Sequence, residues 1–275
     1  MKFGSFLSFG RIAPLALVAA TVASGCTLTV KTKTRYVLPD GDPSTVATAA
    51  EDWNGEPIDV QAAGVQVSVN GGANITGVAN LKKITVKARV LAMADDTDKA
   101  SAELSLAEAA KTLSVAKVDG KFVIACGHGG SHGTSNADTS GCELLDIQIP
   151  AGDTSKPIEL TTSLGNGSLN VSGVTVKSAQ LTGDGDATAK LSFVKGATIS
   201  LTANSGNASL SIPAGSSADS VVLLGDAKKS TSAFEGVKPD GAAVSLGNKG
   251  EGATSIRVEA KEFAGSREAA SLLKF

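Results

Sequence analysis

The side chains best suited to chemistry lie in one short polar segment. Cys126 and Cys142 enclose residues 127–141, and that segment contains both histidines of the chain, His128 and His132. Two thiols exported to an oxidising compartment form a disulfide. Two thiolates with two imidazoles are also a tetrahedral zinc set, so Cys126, His128, His132 and Cys142 carry a second reading. Glycines throughout the segment (Gly127, Gly129, Gly130, Gly133, Gly141) leave a zinc ion no rigid surround, which favours the disulfide. Closing a loop of this length contributes about 3 kcal/mol. A catalytic nucleophile needs a base held beside it, and the only imidazoles are in this glycine-rich loop. No nucleophile elbow, P-loop or dinucleotide fingerprint stands between a strand and a helix. Acidic runs occur at Asp95-Asp96-Thr97-Asp98 and at Asp184-Gly185-Asp186. Neither has the spacing of a calcium loop, so they are expected to be a helix start and a solvated turn. The expectation is a chain that is not an enzyme and holds no metal or cofactor.

The third cysteine belongs to the start of the chain. Lys2 and Arg11 precede an apolar run, Ile12 to Ala23, too short to span a bilayer. It ends in Ala23-Ser24-Gly25-Cys26, which resembles a bacterial lipobox. Residues 1–25 are therefore expected to be a lipoprotein signal peptide, cleaved after Gly25, with diacylglycerol on Cys26. Ordinary cleavage at the same small residues is the alternative, and it would leave Cys26 a free thiol. Parity favours lipidation, because it leaves Cys126 and Cys142 as a pair. Thr27, not Asp, follows the cysteine. By similarity to Gram-negative lipoproteins this implies the outer membrane, on its periplasmic or cell-surface side. Residues 26–52 read as a stalk, alternating from Thr27 to Val37 and then broken by Pro39-Asp40-Gly41-Asp42-Pro43-Ser44. A domain is expected from Trp53 to Phe275.

The elements that must position these groups are strands. The chain has 275 residues, net charge −2, 31 glycines, and one Trp and one Tyr. Scattered charge and the lack of an aromatic platform argue against nucleic acid as a partner. From Ile158 to Pro213, runs such as Leu169, Val171 and Leu210, Ile212 alternate with polar residues and recur about every twenty residues. The turns between them are alike: Gly165-Asn166-Gly167, Gly183-Asp184-Gly185-Asp186 and Asn204-Ser205-Gly206-Asn207. Strands too short to bury a core alone suit a stack in which each coil covers the next. An antiparallel β-sandwich is the alternative. Residues 70–78 match residues 166–174 at a constant offset of 96, and residues 84–88 echo 174–178 at an offset of 90.

Further strands are expected at Ile58–Gln61, Val65–Asn70, Ile84–Leu91, Leu144–Pro150, Val221–Leu224 and Thr254–Phe263, with a loop around Lys228–Lys249. Leu113–Val118 and Lys121–Cys126 flank Asp119-Gly120 as a hairpin. One helix is expected over Asp95–Lys111 from its Ala and Glu content and its face of Ala102, Leu106, Ala109 and Leu113, with a strand as the alternative because Ala102, Leu104 and Leu106 also alternate. A short C-terminal helix over Ser266–Leu273 would close the open end.

Ile149-Pro150-Ala151-Gly152, Leu160-Thr161-Thr162, Gly165-Asn166-Gly167 and Ile212-Pro213-Ala214-Gly215, behind the lipobox, carry a resemblance. From Trp53 to Phe263 the chain resembles the bacterial "putative adhesin" β-solenoid domains, relatives of the head GIN domain. The resemblance implies a right-handed β-solenoid at the cell envelope and supplies no catalytic residues. The function expected is a lipid-anchored, adhesin-like surface binding a polysaccharide or an envelope protein. The alternatives are a periplasmic binding or metal-handling module built on the Cys/His loop and, third, a polysaccharide-acting β-helix enzyme.

Overall fold

Alternation decides the architecture. In β10 (Leu169–Gly183) and β11 (Ala187–Ala203) buried Leu, Val, Ile and Ala alternate with exposed Thr, Ser and Asn, and the period slips where each strand bends. A strand with one apolar side must lay that side on another such strand. The structure, a computed structural model, describes residues 31–35, 45–54, 64–81, 84–94, 104, 111–127, 139–247, 253–263 and 265–275. It is all-β, with one large, mostly parallel sheet.

Two runs of parallel strands build it. The first half of β10 pairs with β4 (Gly72–Val78) on one side and with β11 on the other. β8 (Thr139–Pro150) continues this run beyond β4. β12 (Ala208–Ile212), β19 (Ala270–Lys274) and β14 (Thr231–Ser232) continue it beyond β11. The second half of β10 pairs with β9 (Ile158–Leu164) and again with β11. β3 (Gly64–Val69) and β7 (Lys121–Cys126) extend this second run one way, β16 (Ser255–Ala260) and β13 (Ala218–Leu224) the other. Each rung is one strand of the second run followed by one strand of the first, and from β9 to β12 the two are joined by tight corners. Apolar residues such as Val67, Leu181, Leu201 and Val258 line up inside from rung to rung. The antiparallel sandwich is overturned by these pairings.

The ends of the stack are antiparallel. β5 (Thr85–Ala94) runs against β8, β2 (Thr45–Asn54) against β5, and β1 (Lys31–Arg35) against β2. β2 thus enters the sheet across the expected boundary at Trp53. β6 (Ser114–Val118) forms the expected hairpin with β7. Asp119 and Gly120 both have positive φ, 49° and 78°, as a two-residue hairpin turn requires. At the far end β15 (Val244–Leu246) runs against β13, and Phe234, Val237 and Leu246 are buried beside it.

The expected C-terminal helix over Ser266–Leu273 is not formed. Those residues make β18 (Ser266–Arg267), which pairs with β17 (Glu262–Phe263), and most of β19. Ala270 and Leu272 are both fully buried against Ala208 and Leu210, so period two wins over helix propensity once a strand edge is available. The end is covered instead by the segment around Phe234, Val237 and Leu246. Most of the Asp95–Lys111 helix, and the strand at Ile58–Gln61, lie outside the described residues; Leu104 and Lys111 have helical backbone. The offset of 96 is a physical register: Asn170 lies beside Asn74 and Val171 beside Ile75. The echo at 90 is not, since the strands carrying Val86 and Val176 do not pair with each other.

Candidate functional site

The corners of the described rungs stack at one side, and of the predicted site residues they carry Cys126, Cys142, Asp184 and Asp186. The turns at 70–71, 165–168, 184–186 and 204–207 lie one above another. Asn166 N–H donates to Asn70 O at 2.6 Å, Gly185 N–H to Gly167 O at 3.1 Å, and Ser205 N–H to Asp184 O at 2.7 Å. Close approach demands glycine here. A Cβ at Gly167 would strike the backbone of Gly71 and Gly72, and one at Gly71 the carbonyls of Cys142 and Glu143. Asp186 Oδ1 accepts from the backbone and side-chain amides of Asn207 at 2.8 and 3.2 Å. Its role is to satisfy the next corner, as its turn chemistry suggests.

Cys126 and Cys142 are joined by a disulfide, with Cα atoms 5.8 Å apart, inside the usual range for such a bond. Both are buried. The bond ties the end of β7 to the first half of β8 across the last corner of the stack. It occupies both sulfurs that the zinc reading requires. His128 and His132 lie outside the described residues, as do Cys26 and the run Asp95, Asp96, Asp98. Among the described residues no three His, Cys, Asp or Glu side chains gather as metal ligands. Beside the disulfide the corner leaves a shallow depression of about 360 Å³, lined by Ser68, Asn70, Cys126, Ser163 and Gly165 among others.

The outer faces are ranks of polar side chains, most of them uncharged. On the first run Asp146, Asn74, Asn170, Thr188, Ser209, Ser271 and Thr231 occupy successive strands at one register position. Strand spacing puts them about 4.8 Å apart. Asn170 Nδ2 donates to Asn74 Oδ1 at 3.0 Å, and Asn74 Nδ2 donates to Asp146 Oδ1 at 2.8 Å. On the second run Gln66, Thr161, Gln180, Ser200 and Arg257 form the corresponding rank. Glu159 lies between two lysines, 3.0 Å from Lys177 Nζ and 3.2 Å from Lys121 Nζ. The hydrogen bond from Lys177, then that from Lys121, holds its carboxyl below the ordinary range. Asp153 is lowered by the Ser155 hydroxyl and then by the Lys156 and Ser155 amides. Sequence reasoning missed the amide chain from Asn170 to Asp146, although the offset of 96 had already aligned its two asparagines. It also missed the two lysines on Glu159, for which spacing along the chain gives no signal.

Such ranks donate and accept many weak hydrogen bonds. Among the described residues no helix is long and apolar enough to cross a membrane.

No protein-family model matches the chain, and no curated protein matches it. Among solved structures it is similar to the crystal structure of a putative cell adhesion protein from Clostridium sporogenes. The identity is 14%, the TM-score 0.51, and the match covers 89% of this chain and 99% of that one. At that identity the likeness is one of fold.

Proposed function

We propose that this chain is a lipid-anchored envelope protein whose domain is an adhesin-like β-solenoid, right-handed as the sequence resemblance implies, and that it works through its displayed surface without catalysis. The observation that carries the reading is the fold shared with a protein described as a putative cell adhesion protein, joined to faces built of polar ranks. Cys26 behind its lipobox is the anchor, and the outer membrane is the address. The partner is a polysaccharide or another envelope protein, met through many weak hydrogen bonds. Affinity at one site is low, and many copies in one membrane raise it through effective concentration.

The test has two arms on intact cells. Cys26→Ser is expected to release the protein from the detergent phase, while surface labelling marks the wild type. Deletion of the gene is expected to lower adhesion, and the anchored form to restore it better than the released form. Wild-type partitioning of Cys26→Ser would remove the anchor. Unchanged adhesion on deletion would remove the adhesive role.

A further inference from the structure

In a parallel stack the first and last rungs have a neighbour on one side only, and they fray first. The order of this stack departs from the order of the chain at both ends. The β3/β4 rung comes before the β7/β8 rung in sequence, yet it lies inside it: β3 pairs with both β7 and β9, and β4 with both β8 and β10. The β16/β19 rung comes last in sequence, yet it too is internal. β16 pairs with both β11 and β13, and β19 with both β12 and β14. Each end of the chain therefore enters the parallel stack through a rung held on both sides.

We propose that these two out-of-sequence rungs lock the domain against tension applied along the chain, and that the Cys126–Cys142 disulfide is the catch of the lock nearer the N-terminus. A pull from either end reaches a strand bonded on both flanks, and withdrawing it along its length breaks two parallel ladders together. β1 and β2 run antiparallel outside the lock, so they peel first. The outer rung that retains β3 and β4 is β7/β8, and the disulfide joins those two strands. The outer rung that retains β16 and β19 is β13/β14. It is held by the buried Phe234, Val237 and Leu246, with no cross-link among the described residues. The two locks therefore respond differently to reductant, and each serves as the other's control. The inference concerns the fold under load and stands whatever the surface binds.

Hydrogen exchange on the full mature chain, oxidised and then reduced, tests it. In the oxidised protein the amides of β3, β4, β16 and β19 are expected to exchange as slowly as those of β10 and β11. Reduction is expected to speed exchange in β3, β4, β7 and β8 by more than about tenfold, the effect of a loop closure worth over a kcal/mol, and to leave β16 and β19 unchanged. Leu223→Ala, buried in β13, is expected to do the converse. In an optical trap the oxidised chain should lose β1 and β2 and then open in one step, and the reduced chain should add an early step. Faster exchange of β3, β4, β16 and β19 than of β10 and β11 in the oxidised protein would overturn the proposal. So would uniform acceleration of every strand by both reduction and Leu223→Ala, which would mean one cooperative block with no separate locks.

Discussion

The middle of the stack and its disulfide end solve the same problem by different means. From β9 to β12 every strand has a parallel neighbour on each side, the corners take a few residues, and the buried positions of one rung cover those of the next. At the other end, among the described residues, nothing follows β7 and β8 in the parallel direction. There the sheet turns antiparallel through β5, β2 and β6, and a covalent bond closes the corner. Repetition stabilises a rung only where a further rung exists. An end needs either a change of strand direction or a cross-link, and this end has both.

The comparison can be broken most severely in the middle. Val171→Asp and Ile199→Asp place a charge among fully apolar neighbours in β10 and β11. Each is expected to cost several kcal/mol and to abolish the folded state, read as loss of the thermal transition. At the end, the double substitution Cys126→Ser, Cys142→Ser is expected to cost about 3 kcal/mol in denaturant unfolding while the protein still folds. If that variant unfolded as completely as Ile199→Asp, the end would not be the separable region described. Along the outer face, Asn170→Ala removes the donor to Asn74 and is expected to cost about 1 kcal/mol or less.

The smallest effect is one of pH. Glu159 has its pKa lowered in the folded state by Lys177 and then by Lys121, relative to its ordinary 4.5. A depressed carboxylate contributes stability that is fully present above the unfolded value and is lost as pH falls through the folded value. Wild type is thus expected to lose a small increment below about pH 4.5 that Glu159→Gln does not lose. Equal acid profiles for the two proteins would contradict that assignment.

The sequence made the rungs legible and left their order hidden. Alternation at Leu169, Val171 and Leu210, Ile212 depends only on which side of a strand is buried. The two positive-φ residues, Asp119 and Gly120, made the β6–β7 hairpin readable, and the match of residues 70–78 to 166–174 anticipated the register of β4 against β10. Neighbour choice was not readable, because strands that bury similar small aliphatic residues fit beside one another almost interchangeably. Nothing in Ile256 or Val258 says that β16 belongs between β11 and β13. The helix expected over residues 266–273 rests on a stack's need for a terminal cap, and the open edge of β12 takes those residues as a strand instead. Of the candidate site, Cys126 and Cys142 were legible from cysteine parity. The amide chain through Asn74 was not, since it depends on strands 72 and 96 residues apart.

The central claim is that the protein acts through an extended surface. Its most direct test is a scan of single substitutions, including Asp184→Asn, Asp186→Asn, His128→Ala and Asn170→Ala, read as adhesion of intact cells at equal surface abundance. Each is expected to change binding by less than about threefold, because many weak contacts share the affinity. One substitution that eliminates binding while the circular dichroism spectrum and melting temperature stay unchanged would contradict the account and point to a discrete site.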